Sequence, residues 1–149
     1  MINPNFVIIF LLTAIICGCE NSTASNQTVN DTVTVIQDKK LSSLHSEILR
    51  SMQSYMQSTK VSYTSEHIRL VGVILTEHYR KLENIRNKKQ ALMLVKDTVT
   101  KLNKLNEKSQ GGLIETDQRE MIAEFIIVAG AKHNLNEPNE DVTEAYRDW

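Results

Sequence analysis

From Ile36 to the C-terminus, apolar residues recur every three or four positions, and that spacing constrains the fold more than anything else in the chain. Leu41, Leu44, Ile48, Met52 and Tyr55 form one stripe over a segment of about 37–59. On a helix of 3.6 residues per turn such a stripe occupies a single face. Lys60-Val61-Ser62-Tyr63 reads as a connection. A second segment starts near Thr64 or Ser65, both good N-caps, with Glu66 suiting the positive end of the helix dipole. It carries Ile68, Val71, Leu75, His78, Leu82 and Ile85, and Leu70, Val73 and Ile74 widen its apolar face. Gly72 inside it costs about 1 kcal/mol against Ala and implies close approach of a neighbouring helix.

Residues 83–90, ENIRNKKQ, leave open whether the chain turns or the helix runs on. Leu92, Val95, Val99, Leu102 and Leu105 form a third stripe. Ser109-Gln110-Gly111-Gly112 is the clearest break. Thr116 is the expected N-cap of a fourth segment holding Met121, Ile122, Phe125, Ile126, Val128 and Ala129. That segment ends near His133-Asn134, where Asn suits the left-handed position after a helix, and Pro138 prevents continuation. A last turn, Thr143–Trp149, places Val142, Tyr146 and Trp149 at helical spacing. With only 5 Gly and 2 Pro in 149 residues, a turn-dense all-β fold loses support. The expected fold is all-α: a small antiparallel bundle of three or four helices over residues 36–149, behind a flexible N-terminal tether.

The N-terminus reads as an address. Phe6–Ile16 is an eleven-residue apolar run broken only by Thr13. At 1.5 Å per residue it covers about 16 Å, too short for a bilayer core of about 30 Å. It has the length of the apolar core of a secretory signal peptide. Ile16-Cys17-Gly18-Cys19 then resembles the lipobox of bacterial lipoproteins. The resemblance implies removal of residues 1–18, a diacylglyceryl thioether on Cys19 and acylation, such as by palmitate, of the new amino group. Glu20 after the Cys favours the outer membrane. Residues 19–35 would be the lipidated Cys and a linker rich in Asn, Thr and Ser, with no aromatic or cationic residue. The alternative is a plain secretory signal, for which the sequons at Asn21, Asn26 and Asn30 would matter. Both cysteines lie in this region. A lipidated Cys19 therefore leaves no thiol for a disulfide, a zinc-thiolate site or a nucleophile.

Charge is divided along the chain. Residues 60–108 carry 11 Lys/Arg against 5 Asp/Glu, and residues 109–149 carry 3 against 9. The simplest reading packs the acidic part beside the basic one. The sharper reading is a partner surface: the acidic segment meets a basic protein, or Arg80, Lys81, Arg86, Lys88 and Lys89 meet anionic lipid or glycan. A net charge of −1 and the absence of interleaved aromatics argue against nucleic acid.

Catalytic chemistry finds little support. No Glu-x-x-His pair, His-Glu-x-x-His run, nucleophile elbow, P-loop or dinucleotide fingerprint occurs. His67 and His78, eleven apart on one face, and Glu120 and Glu124, four apart, are the weak candidates for metal and acid–base work. No cofactor, metal or catalytic residue is expected. The expected function is a lipid-anchored protein of the bacterial envelope, facing the periplasm, that binds a protein partner in an immunity, exclusion or complex-accessory role. Its candidate contacts are Asp141, Glu144, Tyr146 and Trp149, because Trp and Tyr anchor interfaces well. The alternatives are a small enzyme of the cell wall or lipid, and a structural spacer.

Overall fold

Asp38 stops the extended chain and starts the first helix. Its Oδ1 accepts the Leu41 backbone N–H at 3.0 Å, satisfying one of the donors that a helix start leaves unpaired. The computed structural model describes residues 35–149. The expected signal peptide, the expected lipidation site Cys19 and the expected linker as far as residue 34 lie outside the described residues. Among the described residues four helices follow: α1 (Lys39–Ser58), α2 (Ser65–Leu82), α3 (Lys88–Lys108) and α4 (Thr116–Lys132), then one 3₁₀ turn at Glu144–Tyr146. The fold is thus an all-α bundle, with four helices rather than three.

α1 buries Leu41, Leu44, Ile48 and Met52, the expected stripe, while Tyr55 is half-buried. α2 packs against each of the other three helices. It buries Ile68, Val71, Leu75, His78 and Leu82. Val73 does not widen this face as expected: it is 41% exposed, pointing away from the three neighbours, whereas Leu70 and Ile74 pack partly on the core. Gly72 lets α1 come close, since a Cβ there would stand 3.1 Å from Leu49 Cδ1.

The chain does turn between α2 and α3. Asn87 Oδ1 accepts the Gln90 N–H at 3.0 Å and so opens a separate helix. α3 and α4 end alike. In α3, Gly111 N–H donates to Asn106 O and Gln110 N–H to Glu107 O, both at 2.9 Å. In α4, Leu135 N–H donates to Gly130 O at 3.1 Å and Asn134 N–H to Ala131 O at 2.9 Å. Both are Schellman closures, and both need a positive φ, which is 58° at Gln110 and 57° at Asn134. Between them, Asn106 Oδ1 accepts the N–H groups of Leu113 and Ile114 at 3.0 and 3.1 Å, which lets this apolar pair enter the core. α4 starts one residue earlier than expected. The Glu115 carbonyl accepts the Arg119 N–H, so Glu115 is the N-cap and Thr116 the first helical residue.

Alternation of direction gives the bundle two distinct ends. One end gathers the start of α1, the end of α2, the start of α3 and the end of α4. It is held by Lys132 to Asp38 at 2.7 Å and Lys88 to Glu140 at 2.9 Å. At the other end the Ser62 hydroxyl donates to the Ser109 carbonyl, and the buried Tyr63 hydroxyl donates to Met52 O at 3.1 Å. Leu135 is buried just after α4, and beyond Pro138 the tail returns over the bundle, burying Val142 and Thr143 and reaching α3 at the 3₁₀ turn.

Candidate functional site

α4 is apolar almost all round. Ile122, Phe125, Ile126 and Ala129 fill the core, but Met121, Ile127 and Val128 remain half-buried on its outer side. An apolar stripe wider than its packing needs is a candidate contact face. Here it lines an open groove of about 480 Å³, completed by Lys40 of α1 and by Pro138 and Asp141 of the tail. Glu120, Glu124 and Asp141 rim it. Glu124 pairs with Lys40 at 3.2 Å, and Glu120 is exposed with no cation within pairing distance among the described residues. The groove therefore presents an apolar floor with one uncompensated carboxylate, Glu120, at its rim, beside Glu124 paired to Lys40 and Asp141 paired to Arg147. Its form suits an apolar segment carrying cations, since shape gives the burial and charge the encounter.

The tail candidates do not share one face. Asp141 lies at the groove, and its Oδ1 accepts Thr143 Oγ1–H at 2.6 Å, Thr143 N–H at 2.9 Å and Glu144 N–H at 3.2 Å. Its other oxygen meets Arg147 at 2.7 Å. Partial burial pushes this carboxyl's pKa up, but the Thr143 bonds and the Arg147 charge outweigh it and hold it below the ordinary value. Glu144 is exposed. Tyr146 lies against α3, where its carbonyl accepts Asn103 Nδ2–H at 2.8 Å. Trp149 packs partly on the core, with the Arg147 guanidinium 5.6 Å from its ring centre. Asp141 thus joins Glu120 and Glu124, while Tyr146 and Trp149 fasten the tail to the bundle.

The histidines are dispersed. His67 accepts the Thr64 N–H on Nδ1 at 3.3 Å, at the start of α2. His78 is buried eleven residues on, about 16 Å along the helix, so the two cannot share an ion. His45 Nε2 stands 3.1 Å from the Gly72 carbonyl, at the α1–α2 crossing. His78 Nδ1 stands 2.9 Å from Thr98 Oγ1, whose own proton goes to Leu94 O. Nδ1 must therefore donate, which leaves Nε2 as a bare buried acceptor. Burial, assisted by the Lys81 charge, pushes the His78 pKa down to about 4, so the ring is neutral at pH 7.

The basic middle of the chain is only partly neutralised. Lys81 and Lys101 share Glu77 and Asp97 across α2 and α3 at 3.1–3.8 Å. One ion pair, Lys88–Glu140, joins the basic middle to the acidic C-terminal part among the described residues. The two parts pack side by side, but their charges do not cancel pairwise. Comparison with known protein families, with curated proteins and with solved structures finds no match to this chain.

Proposed function

We propose that this chain is a lipid-anchored binding protein of the bacterial envelope, tethered through Cys19, whose α4 groove takes a cationic, amphipathic segment of a protein partner. The observation that carries the reading is the groove itself: Met121, Ile127 and Val128 are left half-exposed beside Glu120, Glu124 and Asp141. The lipobox-like Ile16-Cys17-Gly18-Cys19 supports the address. Immunity, exclusion and complex-accessory roles all use such a surface.

Two measurements test it. The intact mass of the detergent-extracted protein should equal residues 19–149 plus acyl groups; an unmodified Cys19 ends the lipoprotein reading. A photo-crosslinking residue in place of Met121 should yield an adduct in cells whose partner peptide is rich in Lys, Arg and apolar side chains. Val128→Glu and Asp141→Lys should both abolish it. An adduct indifferent to these changes, or one mapping to an acidic or wholly polar segment, rules the groove out.

A further inference from the structure

The basic cluster and the chain's attachment point lie at the same end of the bundle. The chain enters at Asp38, the N-cap of α1, beside the end of α4 through Lys132. α2 ends and α3 begins at this end too, which puts Arg80, Arg86 and Lys89 there, all exposed. The segments forming it, 36–40, 80–90 and 131–141, hold eight Lys/Arg against five Asp/Glu. Those at the opposite end, 57–66 and 107–117, hold two against four. Three of the five acids are already engaged, Asp38 by Lys132, Glu140 by Lys88 and Asp141 by Arg147. Lys39, Arg80, Arg86 and Lys89, by contrast, have no carboxylate within pairing distance among the described residues. The Arg86 guanidinium donates to the carbonyls of Glu83 and Ile85, which fixes its place at the α2–α3 corner without neutralising it.

From this juxtaposition we propose that the tether end of the bundle is a docking surface for anionic lipid headgroups, so that the domain rests on the membrane with its α2–α3 corner down. The proposal rests on the anchored reading for its setting, and its argument is electrostatic. On the anchored reading sixteen residues separate Cys19 from Ile36, and a chain reaches at most about 3.6 Å per residue, so the domain stays within reach of the surface at high effective concentration. Cations within a Debye length of an anionic leaflet, about 8 Å at physiological salt, are attracted individually, and the attraction adds to that of the acyl chains. The attachment point is the part of the domain held nearest the bilayer, and it carries the unpaired positive charge. The α4 groove reaches this end at Lys40, Pro138 and Asp141 and runs away from it along α4 past Met121, so a partner can still enter from the side of α4.

The test is lysine acetylation footprinting of the full chain on vesicles, read by mass spectrometry. On phosphatidylethanolamine with 30% phosphatidylglycerol, Lys39 and Lys89 should label about threefold or more slowly than on phosphatidylethanolamine with phosphatidylcholine. Salt at 0.5 M should erase the difference, and Lys60 and Lys108 at the far end should label equally on both. Arg80→Glu/Arg86→Glu/Lys89→Glu, checked for native helicity, should lose the protection of Lys39. Equal labelling of Lys39 and Lys89 on both vesicles overturns the proposal, as does equal protection of Lys60 and Lys108. Protection by soluble dextran sulfate but not by anionic vesicles would make the surface a polysaccharide site and also overturns it. The intact mass of the vesicle-bound protein separates the two readings. Lys39 and Lys89 protected on an unacylated chain would leave the surface standing and remove the anchor; an acylated chain without protection would do the reverse.

Discussion

The α1–α4 half and the α2–α3 half of the bundle are built in opposite senses. Between α1 and α4 the interior is mainly hydrocarbon, around Leu41, Ile48, Phe125 and Ile126, with the polar contact of Gln118 Nε2 donating to Ser51 Oγ at 2.7 Å near the start of α4, while the outer side of α4 keeps an apolar groove. Between α2 and α3 the interior holds the polar pair His78–Thr98, and the outside is laced by Glu77, Lys81, Asp97 and Lys101. A half with a mainly hydrocarbon interior and an apolar outer groove is suited to a protein partner. A half with charge turned outward is suited to ionic surfaces. The proposed groove lies in the first half, and Arg80, Arg86 and Lys89 of the proposed lipid surface lie in the second, joined there by Lys39 of α1.

The contrast can be broken most forcefully in the α1–α4 half. Phe125→Ala should cost about 3–5 kcal/mol in urea unfolding, because it empties a fully buried ring site. A loss below about 1 kcal/mol would mean that the half is loosely packed.

The polar half responds to pH instead. His78 takes up a proton far more readily unfolded, near 6.5, than folded, near 4. Stability is therefore complete above pH 6.5 and falls as the pH drops from there toward 4. At full extent the loss is about 3 kcal/mol. Urea midpoints at pH 7.5 and 4.5 should show it, and His78→Leu should flatten this part of the profile. Asn106→Ala should cost about 2 kcal/mol, since the N–H groups of Leu113 and Ile114 would be buried without an acceptor.

The smallest expected effects lie on the two outer surfaces. Lys101→Ala should change stability by no more than about 0.5 kcal/mol, because its pairs are substantially exposed. Val128→Asn should cost only about 1 kcal/mol, at a half-buried site, and yet abolish crosslinking at Met121. A large unfolding penalty there would convert the groove into core.

The helices were legible because a 3.6-residue period survives in any one-sided environment, as in Leu41–Met52 and Leu75–Leu82. The same rule misplaced Val73, and it gave no means of separating the half-buried Met121 and Val128 from the buried Ile122 and Phe125. An apolar residue in the sequence carries no sign of which side lacks a neighbour. Asn134 was legible as a helix terminator because Asn tolerates positive φ. Gln110 was not legible as one, because Gln carries no preference for positive φ and the glycine beside it, Gly111 at φ 78°, is the residue type that does. Of the candidate site, Glu120, Glu124 and Asp141 were each singled out in the sequence. Their convergence was not, because it depends on the path of the chain after Pro138. The buried Asn106 was invisible as well, since its partners lie seven and eight residues ahead across two glycines.

Asp38 serves two masters, capping α1 through one carboxylate oxygen and gripping Lys132 through the other. It is also where the chain from the proposed anchor would enter. Any pull from that anchor would therefore be delivered at the seam between α1 and α4, and a pull that opens this seam peels antiparallel helices apart one turn at a time. Peeling breaks contacts in sequence, whereas shear must break them together. For an anchored domain, the weak mechanical axis and the partner groove share one seam, so a partner lying across both helices would act as a splint.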